Sequence, residues 1–262
     1  MNDLEMYREQ LALCDDKIID ALAERNRIIE KIVTYKEEYG MPIIQPRQDE
    51  KQNKRLSRKL AGNHYKEEIE DIFKGIHQNS KKIQAKKVFD YNLFFIGFMG
   101  CGKTTVSEYL RDYFHLNYME MDQELARREG MSIPEIFASQ GEQYFRDKET
   151  ALIYELEGVK NTIVSCGGGA VLRKENVSSM RKSGKIILLT ASPEELYQRL
   201  KDTTDRPLLR GRMSVEGIGE LLEERRPRYD GAADLVIKTD GKSIQQIASE
   251  IVSKLTEFNM DE

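Results

Sequence analysis

The chain contains no tryptophan, and only three cysteines, three histidines and six prolines in 262 residues. Cys14, Cys101 and Cys166 are far apart and odd in number, without metal-ligand spacing. A disulfide framework or zinc site is therefore not expected, and the thiols read as buried or incidental. No apolar run approaches the roughly 20 residues that span a bilayer. The N-terminus, MNDLEMYREQLALCDD, places acids early and lacks a charged-then-apolar leader pattern. No membrane partner is expected, and the expected location is the cytoplasm. Net charge is −4 and neither half is polybasic, so no nucleic-acid partner is expected either. What is present is 39% apolar and 33% charged residues, the balance of a helix-rich globular protein.

Two patterns divide the chain. Residues 1–88 contain little glycine and almost no strand-like alternation. A series of threes and fours, Leu4, Tyr7, Leu11, Cys14, Ile18, Ala21, Arg25, Ile28, Ile32 and Tyr35, predicts one long helix with a partner-facing seam. Gly40-Met41-Pro42 stops it. Further helices are expected from about Pro46 to Leu60 and from Tyr65 to Lys87, the last with Ile69, Ile72, Phe73, Ile76 and Ile83 as its apolar stripe. Three helices, the first too long for the other two to cover, predict a homodimer through this domain. From residue 92 to 262 the pattern changes. Apolar runs at Asn92–Ile96, Ile163–Ser165, Ile186–Leu189 and Leu235–Ile237 alternate with helical stretches, which predicts a parallel sheet covered on both faces.

Gly97-Phe98-Met99-Gly100-Cys101-Gly102-Lys103-Thr104 fits the phosphate-binding pattern G-x-x-x-x-G-K-[ST], with a strand before it and a helix after. Glycines let backbone N–H groups curl inward onto phosphate oxygens, and the helix adds its positive end. Gly100, Gly102, Lys103, Thr104 and Thr105 are the expected nucleotide contacts. Lys103 can reach the β- and γ-phosphates, and the Thr104 hydroxyl can ligate Mg²⁺.

A phosphate loop names no acceptor. YMEMDQELARREGMSIPEIFASQGEQYFRDKE, VSCGGGAV, DRPLL and ERRPRY, in that order and spacing, resemble the shikimate kinase family over about Leu93 to Leu255. The resemblance implies a nucleoside-monophosphate-kinase-like P-loop domain with a five-stranded parallel sheet, and transfer of phosphate from ATP, with Mg²⁺, to the 3-hydroxyl of shikimate. By position, Asp122 corresponds to the acid at the reacting hydroxyl. Arg146 and Arg225 correspond to the carboxylate clamp, Glu149 to an acid bracing it, and Gly168 to a backbone donor. Arg206 corresponds to the lid arginine and Arg199 to the one that packs on adenine. Asp122 alone reads more often as a helix N-cap than as a base, and the two roles are compatible. Arg226 and Arg228 read as solvated or surface-paired. Glu120-Met121-Asp122 departs from the family's Asp-x-Asp, and the longer acid bears on metal support. A kinase for another small hydroxylated acid is the rival reading.

In the helical half, Arg25 sits on the apolar seam, where an unpaired charge is costly. Lys36 projects from nearly the same side, whereas Arg8 points about 100° away. Ser80 and Gln84 lie one turn apart. Together these residues could form a cationic pocket for a small dianion; the alternative is a coiled-coil arginine whose head reaches solvent. LEMYREQLALCDDKIIDALAERNRIIEKIVTYK, GMPIIQP and IFKGIHQNSKKIQ resemble the all-helical chorismate mutase family. That resemblance implies a rearrangement of chorismate to prephenate without cofactor. Arg25 and a second copy's Arg8 would hold the carboxylates, Lys36 and Gln84 the ether oxygen, and Ser80 a carboxylate. Where the family carries an Arg-Glu pair this chain has Gln48-Asp49, with Arg47 one residue early; Asp49 can still meet the substrate hydroxyl. The alternative here is a mutase-derived dimerisation or regulatory module.

Overall fold

The structure is a computed structural model and describes residues 2–202 and 211–260. The chain divides into two compact units, Met1–Val88 and Phe89–Glu262.

The first unit holds α1 (Asp3–Glu38), α2 (Pro46–Lys59) and α3 (Lys66–Val88). Asn2 opens α1 with a capping box that it shares with Glu5, which satisfies two N-terminal donors at once. Pro46 opens α2, where its missing N–H costs nothing. Only α1 and α3 pack extensively on each other. Val33 is buried in α1, whereas the apolar residues of the seam read from the sequence, Leu4, Tyr7, Leu11, Ile18, Ile28, Ile32 and Tyr35, are all exposed. A single copy thus leaves uncovered the surface that the heptads were expected to bury.

The second unit runs β1 (Asn92–Ile96), α4 (Lys103–Phe114), β2 (Asn117–Glu120), α5 (Met121–Glu129), α6 (Ile133–Glu155), β3 (Thr162–Ser165), α7 (Lys174–Ser183), β4 (Gly184–Thr190), α8 (Pro193–Leu200), α9 (Val215–Ala232), β5 (Leu235–Lys238) and α10 (Ile244–Met260). Its five strands form one sheet in the order β2-β3-β1-β4-β5, and every pairing is parallel. The central strand β1 is buried throughout, as a parallel strand covered on both faces must be. Phe94 and Ile96 enter a core with Met121, Phe145 and Leu152, and α4 and α10 pack against each other. The chain leaves β1 through α4 toward β2 on one side, and the connection from β3 through α7 crosses to β4 on the other. That is the switch point at whose carboxyl edge α/β sheets bind ligands.

Candidate active sites

At the carboxyl end of β1 the chain turns through Gly97, Gly100 and Gly102, all at positive φ. A side chain at Gly97 would stand 2.3 Å from the Leu189 carbonyl, and one at Gly100 would press on Leu200 at 3.0 Å. Nothing lies within 4 Å of the corresponding point at Gly102, so only backbone conformation reserves that position for glycine. Lys103 opens α4 and folds back, its Nζ donating to the carbonyls of Gly97 (2.9 Å) and Phe98 (3.1 Å).

The loops after β2 and β3 face this turn. Glu120 caps α5, accepting from the Gln123 N–H at 2.7 Å. The cap expected of Asp122 therefore belongs to Glu120, which occupies the residue just before the helix starts at Met121. Burial, more than any neighbouring charge, raises the Glu120 pKa. Asp122 follows in the first turn of α5. After β3 comes Gly167-Gly168-Gly169. A β-carbon at Gly167 would lie 2.8 Å from Asp122 Oδ1 and 3.0 Å from Glu149 Oε1, and one at Gly169 would lie 2.4 Å from both Arg146 terminal nitrogens. Gly167 and Gly169 are thus needed for side chains to approach the turn, whereas a β-carbon at Gly168 would meet only ordinary contacts at 3.7 Å.

Helix α6 breaks at Gly141 (φ 84, ψ 170), and the fresh segment presents Arg146 and Glu149 on one face. Glu149 is wholly buried and accepts from Arg146 at 2.9 Å. Burial pushes the Glu149 carboxyl up, and Arg146 opposes that shift. From α9, the Arg225 guanidinium stands 6.0 Å over the Phe98 ring. Tyr229, which sequence reasoning passed over, donates to the Gly168 carbonyl at 2.8 Å and holds the glycine turn from below. Arg199 donates to the Gly100 carbonyl (3.1 Å) and the Thr239 hydroxyl (3.2 Å). Arg226 pairs with Glu223 on the surface, and Arg228 is exposed, reaching only the Leu172 carbonyl. Gly100, Gly102, Lys103, Thr104, Thr105, Asp122, Arg146, Gly168, Arg199 and Arg225 all line one cleft of about 1520 Å³. Arg206 lies outside the described residues.

The helical unit carries a second constellation. The Arg25 guanidinium donates to the Ser80 hydroxyl, which itself donates to the Ile76 carbonyl at 2.8 Å. Lys36 Nζ donates to the Ile43 carbonyl at 3.3 Å. Its pKa is lowered, first by burial and then by Lys81, with Asp49 opposing. Gln84 is buried one turn beyond Ser80. Asp49 is bound through both oxygens, each 2.7 Å from Lys81 Nζ, a contact that sequence reasoning missed. Burial, then the charge of Arg25, holds His77 below the usual imidazole range. Arg47 and Gln48 are exposed. Arg8 is exposed too, 17 residues up α1 and so about 25 Å from Arg25 at the helical rise; one chain does not bring it to this pocket.

Comparison with known proteins separates the same two segments. Residues 99–256 match the family model for shikimate kinase, and residues 7–85 that for chorismate mutase type II. Among curated proteins, the chain is 38% identical to a shikimate kinase of Nitrosococcus oceani over 65% of this chain and 90% of that protein. It is 41% identical to one of Caldanaerobacter subterraneus subsp. tengcongensis, over 62% and 94% respectively. Among solved structures, a shikimate kinase from Acinetobacter baumannii in complex with shikimate aligns with TM-score 0.60 and 30% identity, covering 65% of this chain and 95% of that one. A shikimate kinase from Aquifex aeolicus aligns with TM-score 0.55 and 31% identity, over 65% and 99%. Because the first match spans more than half of the chain and coincides with the cleft-bearing unit, the chain belongs to the shikimate kinase family and carries a chorismate mutase type II domain ahead of the kinase.

Proposed function

We propose that the chain phosphorylates the 3-hydroxyl of shikimate with ATP in its second unit and rearranges chorismate to prephenate in its first. The observation that carries the kinase assignment is the guanidinium pair Arg146 and Arg225 flanking the glycine turn, beside Asp122 and opposite the phosphate loop. A planar guanidinium suits a carboxylate through two parallel hydrogen bonds. In this reading Arg146 and Arg225 fix the shikimate carboxylate and the Gly168 N–H adds a donor. Asp122 orients the hydroxyl and accepts its proton as that oxygen bonds to the γ-phosphorus and the bond to ADP breaks. Lys103 and Arg206 meet the phosphate charge, and Arg199 adjoins the base.

The donor set fits a nucleotide: glycines that leave room for phosphate, a lysine beside them, and a helix N-terminus behind. It also fits Mg²⁺. Among the described residues no cluster of three or more His, Cys, Asp or Glu could hold a metal alone. Magnesium of this kind takes one or two protein oxygens and the nucleotide phosphates. Thr104 would hold it, with Glu120 and Asp122 near enough to act through water, and it would neutralise phosphate charge.

For the mutase, Arg25 and Ser80 would hold one carboxylate and the Arg8 of a second copy the other. Lys36 and Gln84 would donate to the ether oxygen as its bond to carbon breaks and it gains negative charge. Asp49 would accept from the substrate hydroxyl. The exposed seam of α1 supports a homodimer, and light scattering on the full chain tests it; a monomer at micromolar concentration counts against helix exchange. Three free cysteines and the use of ATP support a cytoplasmic location. Among the described residues no helix is long and apolar enough to cross a membrane.

The deciding experiment follows shikimate-dependent ADP release and loss of chorismate absorbance on one preparation. Kinase turnover without chorismate turnover would recast the helical unit as a dimerising or regulatory module, the reading that the exposed Gln48 favours. Absence of shikimate turnover, with another hydroxy acid accepted, would overturn the kinase substrate.

A further inference from the structure

Lys81 resembles Lys82 in sequence but not in the fold. Lys82 is exposed, whereas the Lys81 side chain retains only 15% of its exposure and chelates both oxygens of Asp49. His77, Ser80, Lys81 and Gln84 fall within an arc of roughly 100° on α3 at 100° per residue. Ser80 in that arc meets Arg25 from α1. The pocket therefore brings Arg25, Lys36 and Lys81 together near the Asp49 carboxylate. Half-buried cations gathered in this way are a poor device for stability, since each loses hydration. Surplus positive charge of this kind suits a dianionic ligand. The second helix, meanwhile, contributes no cation here, because Arg47 and Gln48 are exposed.

We infer that Lys81 supplies from the third helix the cation that the second helix lacks, and acts as a positioning residue for chorismate by neutralising and orienting Asp49. The inference rests on the mutase reading above. Without Lys81, the Asp49 carboxylate would lose its direct counter-ion and its repulsion of the ligand's two carboxylates would be less offset, a cost that is large at close range in a half-desolvated site. With Lys81 in place, Asp49 can accept from the ligand hydroxyl while the pocket stays net positive. The Asp49–Lys81 contact also ties α2 to α3, so the acceptor is fixed by two helices. Burial lowers the Lys81 pKa, and Asp49 opposes that shift.

The test uses the full chain, with kinase turnover and helical circular dichroism as folding controls. Lys81→Met is expected to raise KM for chorismate on the order of tenfold or more with kinase kinetics unchanged. Lys81→Arg should stay within a few-fold of the parent. Adding Gln48→Arg to Lys81→Met should recover much of the loss by returning a cation to the second helix. A fall in apparent kcat alone, with KM unchanged, would mark lost folded protein and overturn the inference. So would a KM unaffected by Lys81→Met, or a loss that neither arginine relieves, which would assign Lys81 to packing. If the parent chain itself fails to turn over chorismate, the mutase reading falls and the inference with it. The parent control separates that outcome from failure at Lys81.

Discussion

Gly169→Ala tests the carboxylate clamp without touching it. Gly169 has φ −105 and ψ −2, a conformation alanine adopts freely, so the substitution introduces no backbone strain. The added methyl would instead fall 2.4 Å from the Arg146 terminal nitrogens. Ordinary contact needs roughly 3.5 Å, so the guanidinium must retreat by about 1 Å. Glu149, fully buried, blocks the inward direction. The outward direction is open, because Arg146 already bonds Glu142 at 3.3 Å. Retreat weakens a charge-assisted pair and misaligns the donors that the shikimate carboxylate requires. Such bonds are worth about 1.5–3 kcal/mol, which corresponds to roughly ten- to hundredfold in KM for shikimate. The ATP KM should hold, since the phosphate loop lies on a different strand end. Initial rates by coupled ADP release, at saturating ATP and varied shikimate, measure the effect. An unchanged shikimate KM with unchanged Tm would show that Arg146 does not hold the carboxylate, or that Gly169 does not set its position.

Gly167→Ala presses on Asp122 and Glu149, so here kcat, more than KM, should fall in the same assay. Because burial and Lys81 lower the Lys36 pKa, mutase kcat/KM should decline below the usual lysine range as pH rises and Lys36 loses the proton it needs. Lys81→Met removes one of those causes and should move the limb to higher pH; an unmoved limb in the pH profile would separate the two lysines. Glu120→Ala deletes the α5 cap and should cost about 1 kcal/mol, lowering the kinase unit's Tm by roughly 2–4 °C, whereas Glu120→Asp should keep most of it. In thiol titration the buried Cys101 and Cys166 should react only in denaturant, burial holding the Cys166 thiol above its usual range. Cys14 on the exposed seam should be reactive in dilute protein and protected at concentrations where two copies pair.

The phosphate loop was legible because its chemistry is local: strand, glycines, lysine and helix occupy consecutive residues, and β1 and α4 appeared where the pattern put them. The long first helix was legible from its heptads, although only the structure shows that most of the seam's apolar residues stay exposed in one copy while Arg25 on it meets α3. Other features depended on distance or on reach. Strand β2, Asn117-Tyr118-Met119-Glu120, is only partly buried and lacks the apolar run that marked β3 and β5 of the same length. The break at Gly141 looks like any glycine in a helical stretch until the segment beyond it proves to carry Arg146 and Glu149. The cap expected of Asp122 went to Glu120 because the helix starts at Met121, which puts Glu120 at the N-cap and Asp122 in the first turn, a boundary that residue type alone does not decide. Lys81 was hidden for a different reason: two adjacent lysines on a helix are equivalent until a second helix meets one of them.

The two sites answer one electrostatic problem in the same way. A pocket for a carboxylate needs a cation held in place before the ligand arrives, yet a half-buried cation left alone loses hydration and drifts toward solvent. In the kinase unit Arg146 is anchored by the buried Glu149, and in the helical unit Lys81 is anchored by Asp49. Each anchor leaves its site with a second cation, Arg225 in one and Arg25 in the other, so positive charge still exceeds negative. The arrangement differs in who approaches the ligand. Glu149 sits behind Arg146, and the arginine is the group offered; Asp49 sits in front, and its lysine tunes it. Removing the paired partner should therefore change the two sites differently. Glu149→Gln leaves Arg146 charged and more mobile, loosening shikimate without reversing the pocket's sign. Lys81→Met takes the direct counter-ion from Asp49, so the mutase pocket keeps Arg25 and Lys36 but holds a dianion less tightly.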